Sequence, residues 1–301
     1  MTALRVEASG PLALVQDLGR PGHATLGVTR SGAADRASLR LANRLVANAE
    51  GAAGIEVTFG GLRLRALGEL TVAVAGAPVP VDVDGRSVDL RAPLRLRTGQ
   101  TLTLGIPEEG LRSYVAVRGG IEARELLGSR SRDTLAGVGP EPLREGDELA
   151  VGAVPQEVPT VDHAPVPPLG PATLGIVLGP RDDWFTDARA IAEGEWEVSS
   201  DSDRVGLRLA RPRDGGPPLT RTDDAELASE GVVRGALQVP PGGAPVLFLA
   251  DHPVTGGYPV IAVVVDADTD RAAQLRPGER LTFAIGTSQQ RPREGFGGGV
   301  P

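Results

Sequence analysis

Asp251, His252, Thr255, Gly256, Gly257 and Tyr258 crowd one short stretch, LADHPVTGGYPVIAVVVDADTD, between Leu249 and Asp270. A carboxylate, an imidazole and a hydroxyl ahead of a bare Gly–Gly backbone can serve acid–base chemistry or bind a polar ligand. No Ser or Cys nucleophile stands close to His252, so a triad would need distant partners. The stretch also reads as an ordinary strand–loop–strand whose polar residues fall at strand ends. Upstream, SEGVVRGALQVPPGGAP adds Glu230 and Gln238 at the ends of further strands.

A second group lies near the start, in VQDLGRPGHATLGVTRSGAADRASLRLANRL. It holds Gln16, Asp17, Arg20, Ser31, Gly32 and Asp35 among several glycines. Gly lets backbone N–H groups approach an anion or a carbonyl closely. Ser31 to Asp35 leads into a helix, and a helix N-terminus favours a carboxylate or phosphate. The plainer reading is a helix capped by Asp35 after a Gly loop. A third group, GSRSRDTLAG (Gly128–Gly137), sets Arg130 and Arg132 beside Ser129, Ser131 and Asp133. Two Arg and two hydroxyls can clamp a carboxylate or phosphate, or can form a solvated turn. In SSDSDRVGLRL, Asp203 and Arg204 can pair with each other or contact a substrate.

Composition removes much other chemistry. The chain has no cysteine, which excludes disulfides, thiolate nucleophiles and Cys-type zinc sites. All 31 basic residues are arginine. No Schiff-base lysine, P-loop lysine or biotinyl lysine therefore lies on this chain. The three histidines, His23, His163 and His252, form no local metal motif, and no metal-ligand set is expected. An oxygen-ligated Mg²⁺ held partly by substrate phosphates stays open. A net charge of -8 argues against nucleic acid and anionic membranes as partners. No apolar run reaches the ~18 residues of a spanning helix. The opening MTALRVEASG has no basic start followed by an apolar core, so a cytoplasmic location is expected.

The elements that must position these groups are mostly strands. Short apolar runs alternate with Gly- and Pro-bearing turns, which marks an all-β protein. Its 301 residues suggest two domains. The Pro-rich segment 152–171 reads as a linker between a first domain, 1–151, and a second, 172–288, with a flexible tail over 289–301. LRTGQTLTLGI (Leu96–Ile106) recurs as LRPGERLTFAI (Leu275–Ile285), and more briefly as LREGDELAV (Leu143–Val151). Each predicts a tight turn around a Gly feeding a half-buried strand, and one copy closing each half suggests two related barrels. Strands are expected at Val232–Val239, Val246–Ala250 and Tyr258–Val265, the first two joined by a turn at PPGG. Helices are expected at DRASLRLANRLVAN and RDDWFTDARAIAEG, with shorter turns at Glu122–Leu127 and Asp268–Leu275.

Taken in order, QDLGRPG, GVTRSGAADRASLRLANRLVAN, GIEVTFGG, RSYVAVRGGIEARELLGSRSRDTLAG, VLGPRDDWF, SDRVGLRL and SEGVVRGALQVPPGGAPVLFLADHPVTGGYPVIA resemble the KipA-like family. That family includes the C subunit of 5-oxoprolinase, allophanate hydrolase subunit 2 and the biotin-dependent carboxyltransferase domain of urea carboxylase. The resemblance implies two tandem cyclophilin-like β-barrel domains with few short helices. The partners it implies are a KipI-like B subunit of 5-oxoprolinase and a LamB/YcsF-like A subunit. It further implies a small amide substrate, and ATP with Mg²⁺ as the driving cofactor. On that reading Gln16, Asp35, Glu230 and Asp251 are catalytic. Asp17, Arg20, Ser31, Gly32, Arg130, Asp133, Asp203, Arg204, Gln238, Thr255, Gly256, Gly257 and Tyr258 bind substrate, and the chain is inactive alone. Carboxyl transfer to urea from a separate biotin carrier, or regulation of a KipI-like protein without turnover, are the alternatives. The sequence departs from the family pattern at Ala34, His23 and His252, which weakens a catalytic role for either histidine.

Overall fold

A computed structural model describes residues 3–161, 163–165, 172–222 and 225–286. The expected tail and part of the expected linker lie outside the described residues. The first half forms two sheets packed face to face. One has seven strands, in the order Ile121–Glu122, Glu148–Val151, Ala3–Ser9, Leu62–Ala66, Thr101–Leu104, Val81–Val83, Arg86–Val88. The other has five, in the order Leu12–Gln16, Gly54–Thr58, Arg112–Val117, Leu70–Gly76, Leu94–Leu96. Their inner faces supply one core: Leu4, Val6, Leu62, Leu64 and Leu102 meet Val15, Ile55, Val57, Val72 and Val115. The strand LRLRA (Leu62–Ala66) shows why. Its Leu and Ala point inward and its two Arg outward, the period-2 pattern of a one-sided strand.

RSYVAV (Arg112–Val117) is instead buried at every position. Its second face is covered by helix α1 (Arg36–Leu45), whose Leu39, Ala42 and Leu45 pack on Ala73, Ala75, Tyr114 and Ala116. Small Ala residues on the sheet let the helix approach closely. Asp35 caps α1 as expected.

The second half closes into a seven-stranded barrel. Its order is Ala172–Leu178, Val260–Val264, Ala236–Gln238, Val246–Phe248, Gly206–Ala210, Trp196–Val198, Arg280–Ile285. The last strand returns parallel to the first, with Leu281 opposite Ala172. The chain is mainly β with few short helices: a pair of packed sheets followed by a closed barrel. Trp196 lies wholly inside the second barrel, donating its indole N–H to the Ile191 carbonyl at 2.9 Å.

All three recurrent segments make the same turn. The backbone N–H groups of Gln100, Asp147 and Glu279 donate to the carbonyls of Arg97, Arg144 and Arg276. The side chains of Gln100, Asp147 and Glu279 accept from the N–H of those same arginines in return. Gly99, Gly146 and Gly278 have φ of 87°, 94° and 85°, a region that costs other residues strain.

RDDWFTDARAIAEG does not form one helix. It breaks into 3₁₀ turns at Asp182–Trp184 and Ala188–Ala192, because the Thr186 N–H pairs with the Thr220 carbonyl and Phe185 is drawn out extended. The turn expected at Glu122–Leu127 is replaced by strand Ile121–Glu122 and a bridge between Leu126 and Ser129. The last expected turn is a two-turn helix, α2 (Asp266–Ala272). Loops with no ladder of their own are tied by arginines. Arg91 donates to the Gly76 and Pro165 carbonyls, Arg118 to those of Val46, Pro155 and Glu157, and Arg276 to those of Gly110 and Pro107. Arg211 reaches the carbonyls of Ala190, Glu193 and Gly215. No described helix is long and apolar enough to cross a membrane.

Candidate functional site

Most first-half candidates converge on one buried knot of loops. The strand Leu12–Gln16 delivers Gln16, whose amide N–H donates to the Arg132 carbonyl at 2.7 Å. Asp17 accepts from the Gly19 and Arg130 backbone N–H groups, both at 2.7 Å, and from the hydroxyls of Ser129 and Ser131. Arg20 donates to the Ser131 and Leu126 carbonyls, and burial lowers its pKa. Asp133 accepts from Thr29 at 2.7 Å and from the Leu135 and Ala136 N–H groups. Two glycines allow the loops to touch: a Cβ on Gly19 would fall 2.3 Å from the Arg30 carbonyl oxygen, and one on Gly32 would fall 2.6 Å from the Gly19 nitrogen.

The second half joins this knot through Arg204 and Asp251. Asp251 accepts from the Ser31 hydroxyl at 2.6 Å, from the Thr134 N–H and hydroxyl at 2.9 and 2.7 Å, and from Arg204 at 2.9 and 3.1 Å. Those donors fill the roughly four acceptor positions a carboxylate offers. Arg204 also reaches the Gly32 carbonyl at 2.6 Å and the carboxylate of Glu56. Burial alone would raise the Asp251 carboxyl, but Arg204 and the bonds from Ser31 and Thr134 outweigh it and hold it below the ordinary range. Burial alone would lower Arg204, and the Asp251 and Glu56 carboxylates reverse that.

Asp35 and Asp270 complete the junction. Asp35 accepts from the Ser38 N–H at 2.9 Å, the Ser38 hydroxyl at 2.6 Å and the Gln274 amide at 2.6 Å. Burial raises its carboxyl. Asp270 of α2 accepts from the Arg36 and Ala37 N–H groups at the start of α1, at 3.0 and 3.2 Å, and from Arg234 at 2.6 Å. A carboxylate thus does occupy that helix N-terminus, and it comes from the same chain. Glu56 binds the Ala34 N–H at 2.9 Å and the Tyr114 hydroxyl at 2.8 Å, so one buried carboxylate braces the turn ahead of α1 and Arg204 together.

This junction has a pH signature. Asp251 ionises more readily folded than unfolded, where an Asp titrates near 3.9. Its stabilisation is therefore complete above that value and is lost as pH falls through the lower folded value. Asp35 acts oppositely, since its raised carboxyl favours the folded state most at low pH. Asp251→Asn is expected to flatten the fall in stability below about pH 4. Urea unfolding at stepped pH checks this, and parallel acid limbs in both proteins would refute it.

The remaining candidates gather on the outside of the second barrel. Glu230 and Gly231 pair with Gly256 and Thr255 in a two-residue ladder. Arg181, just beyond the strand Ala172–Leu178, grips the Glu230 carboxylate with Nε at 3.1 Å and with Nη2. Gln238 donates to the Tyr258 carbonyl at 2.8 Å, and its amide lies 2.4 Å from where a Gly256 Cβ would stand, so only Gly fits there. Thr255, Gly257 and Tyr258 face solvent. His252 packs 6.1 Å from the Phe248 ring with its Nδ1 2.7 Å from the Pro253 carbonyl, and burial lowers its pKa. Asp203 only closes its own turn, on the Val205 and Gly206 N–H groups, and Arg130 pairs with the exposed Glu125 and Glu122. No group of three or more His, Cys, Asp or Glu among the described residues could hold a metal.

The structure therefore separates the candidates. Gln16, Asp17, Arg20, Ser31, Gly32, Asp35, Asp133, Arg204 and Asp251 lie in a buried, hydrogen-bonded joint between the halves, in which Gln16 Oε1 and Arg20 Nη1 alone of their buried side-chain atoms have no hydrogen-bond partner among the described residues. Glu230, Thr255, Gly256, Gly257 and Tyr258 lie on the outside of the second barrel, with Arg181 paired to Glu230 and Gln238 buried beneath Gly256. Sequence reasoning passed over Glu56, Arg181 and Asp270 as site residues. Glu56 carried a signal: it is the one polar residue in the buried run GIEV.

Residues 26–285 match the family described as carboxyltransferase domain, subdomain A and B. The chain is 35% identical over 285 residues to the C subunit of 5-oxoprolinase from Escherichia coli, covering 93% of this chain and 90% of that one. It is 30% identical over 308 residues to urea amidolyase of Saccharomyces cerevisiae, of which it spans only 16%. Among solved structures, TTHA0988 superposes with a TM-score of 0.83 at 36% identity, over 94% of this chain and 55% of that one. The chain spans about half the length of that protein. With its sheets, barrel and length of match in hand, the chain belongs to the carboxyltransferase family of subdomains A and B, alongside the C subunit of 5-oxoprolinase.

Proposed function

We propose that the chain is the C subunit of an ATP-driven 5-oxoprolinase that opens the lactam of 5-oxo-L-proline to L-glutamate. The observation that carries this is length: the match to the E. coli C subunit runs nearly end to end in both chains. A lactam is a stable amide; phosphorylating its carbonyl oxygen activates the carbon for attack by water. The C–N bond of the adduct then breaks to free the amine, and hydrolysis of the acyl phosphate left behind gives glutamate and phosphate. The protein must then place donors on the oxygen, clamp the carboxylate and hold phosphate. The solvent-facing group around Arg181, Glu230, Thr255, Gly257 and Tyr258 suits the first two tasks, since substrate can reach it, with Gln238 buried beneath it.

Phosphate fits this chain less well. It has no lysine, and the start of α1, the longest of the described helices, already carries the carboxylates of Asp35 and Asp270. We assign the nucleotide and its Mg²⁺ to the KipI-like B subunit or the LamB/YcsF-like A subunit, with this chain supplying the amide-binding face. Coexpression with both partners is expected to release glutamate only when ATP and 5-oxo-L-proline are both present. A well-folded complex that releases none would sink the reading. The likeness to urea amidolyase favours a second reading, carboxyl transfer to urea from a separate biotin carrier. Carrier-dependent carboxylation of urea in place of glutamate release would establish that one.

A further inference from the structure

The Arg181–Glu230 pair differs from the charged pairs that Arg204 makes in the joint between the halves. Those side chains are at most 2% exposed. Here, the two are 35% and 33% exposed, so solutes can reach both. The geometry is a guanidinium fork on a carboxylate, with Nε and Nη2 each on a separate oxygen. The two residues belong to different pieces of structure. Arg181 is fixed to the barrel wall by its N–H on the Val260 carbonyl. Glu230 sits on the outer ladder opposite Gly256.

The space beside the pair is open. A Cβ on Gly231 would meet nothing within 4 Å, and one on Gly257 would meet only atoms at 3.6 Å and beyond. Across the ladder, Thr255 and Gly257 flank Gly256 with an exposed hydroxyl and bare backbone. The fork binds any carboxylate of the same geometry, and its open side lets an incoming one compete for it. A second carboxylate that takes the place of the first restores the same pair of bonds.

We propose that Arg181 determines specificity by binding the carboxylate of a small cyclic amide acid, and that Glu230 is the chain's own carboxylate occupying that fork until substrate displaces it. This rests on the 5-oxoprolinase reading. Glu230 then acts as a competitor in the resting protein, and its release swings a free carboxylate to the rim of the bound lactam. The ordinary alternative is a fixed bridge that merely ties the ladder to the barrel.

The test uses the coexpressed complex and compares 5-oxo-L-proline with its neutral carboxamide, which has the same ring and no charge. The wild-type complex is expected to bind the acid more tightly, read as KM for the acid and as KM or inhibition constant for the amide. Arg181→Ala is expected to raise KM for the acid about 10- to 100-fold, the loss of a charge-assisted pair of bonds. It should leave the amide nearly unchanged, so the preference for the acid vanishes. Arg181→Lys should recover part of the preference. Glu230→Gln should lower KM for the acid, because the competitor no longer carries charge. The proposal falls if the wild type shows no preference, if Arg181→Ala weakens acid and amide equally, or if Glu230→Gln raises KM for the acid. Glutamate release by the wild-type complex separates these failures from failure of the functional reading itself. Circular dichroism melts confirm that each variant folds.

Discussion

Arg204→Ala is expected to cost about 3–5 kcal/mol and to split one unfolding transition into two. The loss comes less from a missing attraction than from what is stranded. Asp251 stays buried at the joint with no guanidinium against it, and Glu56 keeps only that of Arg112, at 3.7 Å. Each half has its own apolar core, one across the two sheets and one inside the barrel. What couples them is largely polar: Arg204 on Gly32, Asp251 on Ser31 and Thr134, Asp270 on α1, and Arg276 on the 107–110 loop. With the central cation gone, the remaining bonds between the halves are expected to couple them too weakly to melt as a unit. Replacing two charges together, as Arg204→Met with Asp251→Asn, is expected to regain much of the stability, because Asp251 is no longer a stranded ion and Glu56 keeps Arg112 as its partner. Differential scanning calorimetry distinguishes the outcomes. A single sharp transition in Arg204→Ala, shifted by under about 1 kcal/mol, would show that the joint does not depend on this residue.

Trp196→Ala is the second large effect, about 3–5 kcal/mol. The ring is wholly buried in the barrel, its N–H is bonded, and the Arg211 guanidinium lies 4.0 Å above its face. Truncation leaves a large cavity and a cation with nothing beneath it. Trp196→Phe should lose less, since it keeps an aromatic face and gives up only the N–H bond and some volume. Urea unfolding measures both. In the Arg204→Ala background the same truncation should move only the transition belonging to residues 172–286. Movement of both transitions would mean that the halves remain coupled by other means.

How far the sequence foretold this depends on the residue. The cap at Asp35, the strand pair around PPGG and the three Gly turns are local, and each could be read from its own few residues. The turns held best because each is closed by its own side chain as well as its backbone. RDDWFTDARAIAEG misled for the opposite reason. Its apolar spacing suits a helix, but a distant strand-like partner at Thr220 claims its middle. The site residues show the same division. Ser31, Arg204 and Asp251 looked like ligand-binding groups because they are polar and sit near glycines. Only the fold reveals that they satisfy one another across more than 170 residues of sequence, Ser31 with Asp251 and Gly32 with Arg204. Arg181 escaped notice since nothing local links it to Glu230, 49 positions away.

The arginines that clasp loop carbonyls also bear on how the folded chain meets proteases. Without lysine, every site open to trypsin-like cleavage is an arginine. Such a protease must draw the arginine side chain out of the protein and into its own specificity pocket. Arg118, Arg211 and Arg276 each hold two or more backbone carbonyls, and Arg204 lies buried in the joint. To offer any of them as a cleavage point, the chain must first let go of the very loop or joint that the side chain secures. These four arginines are thereby withheld from cutting until the chain has begun to unfold.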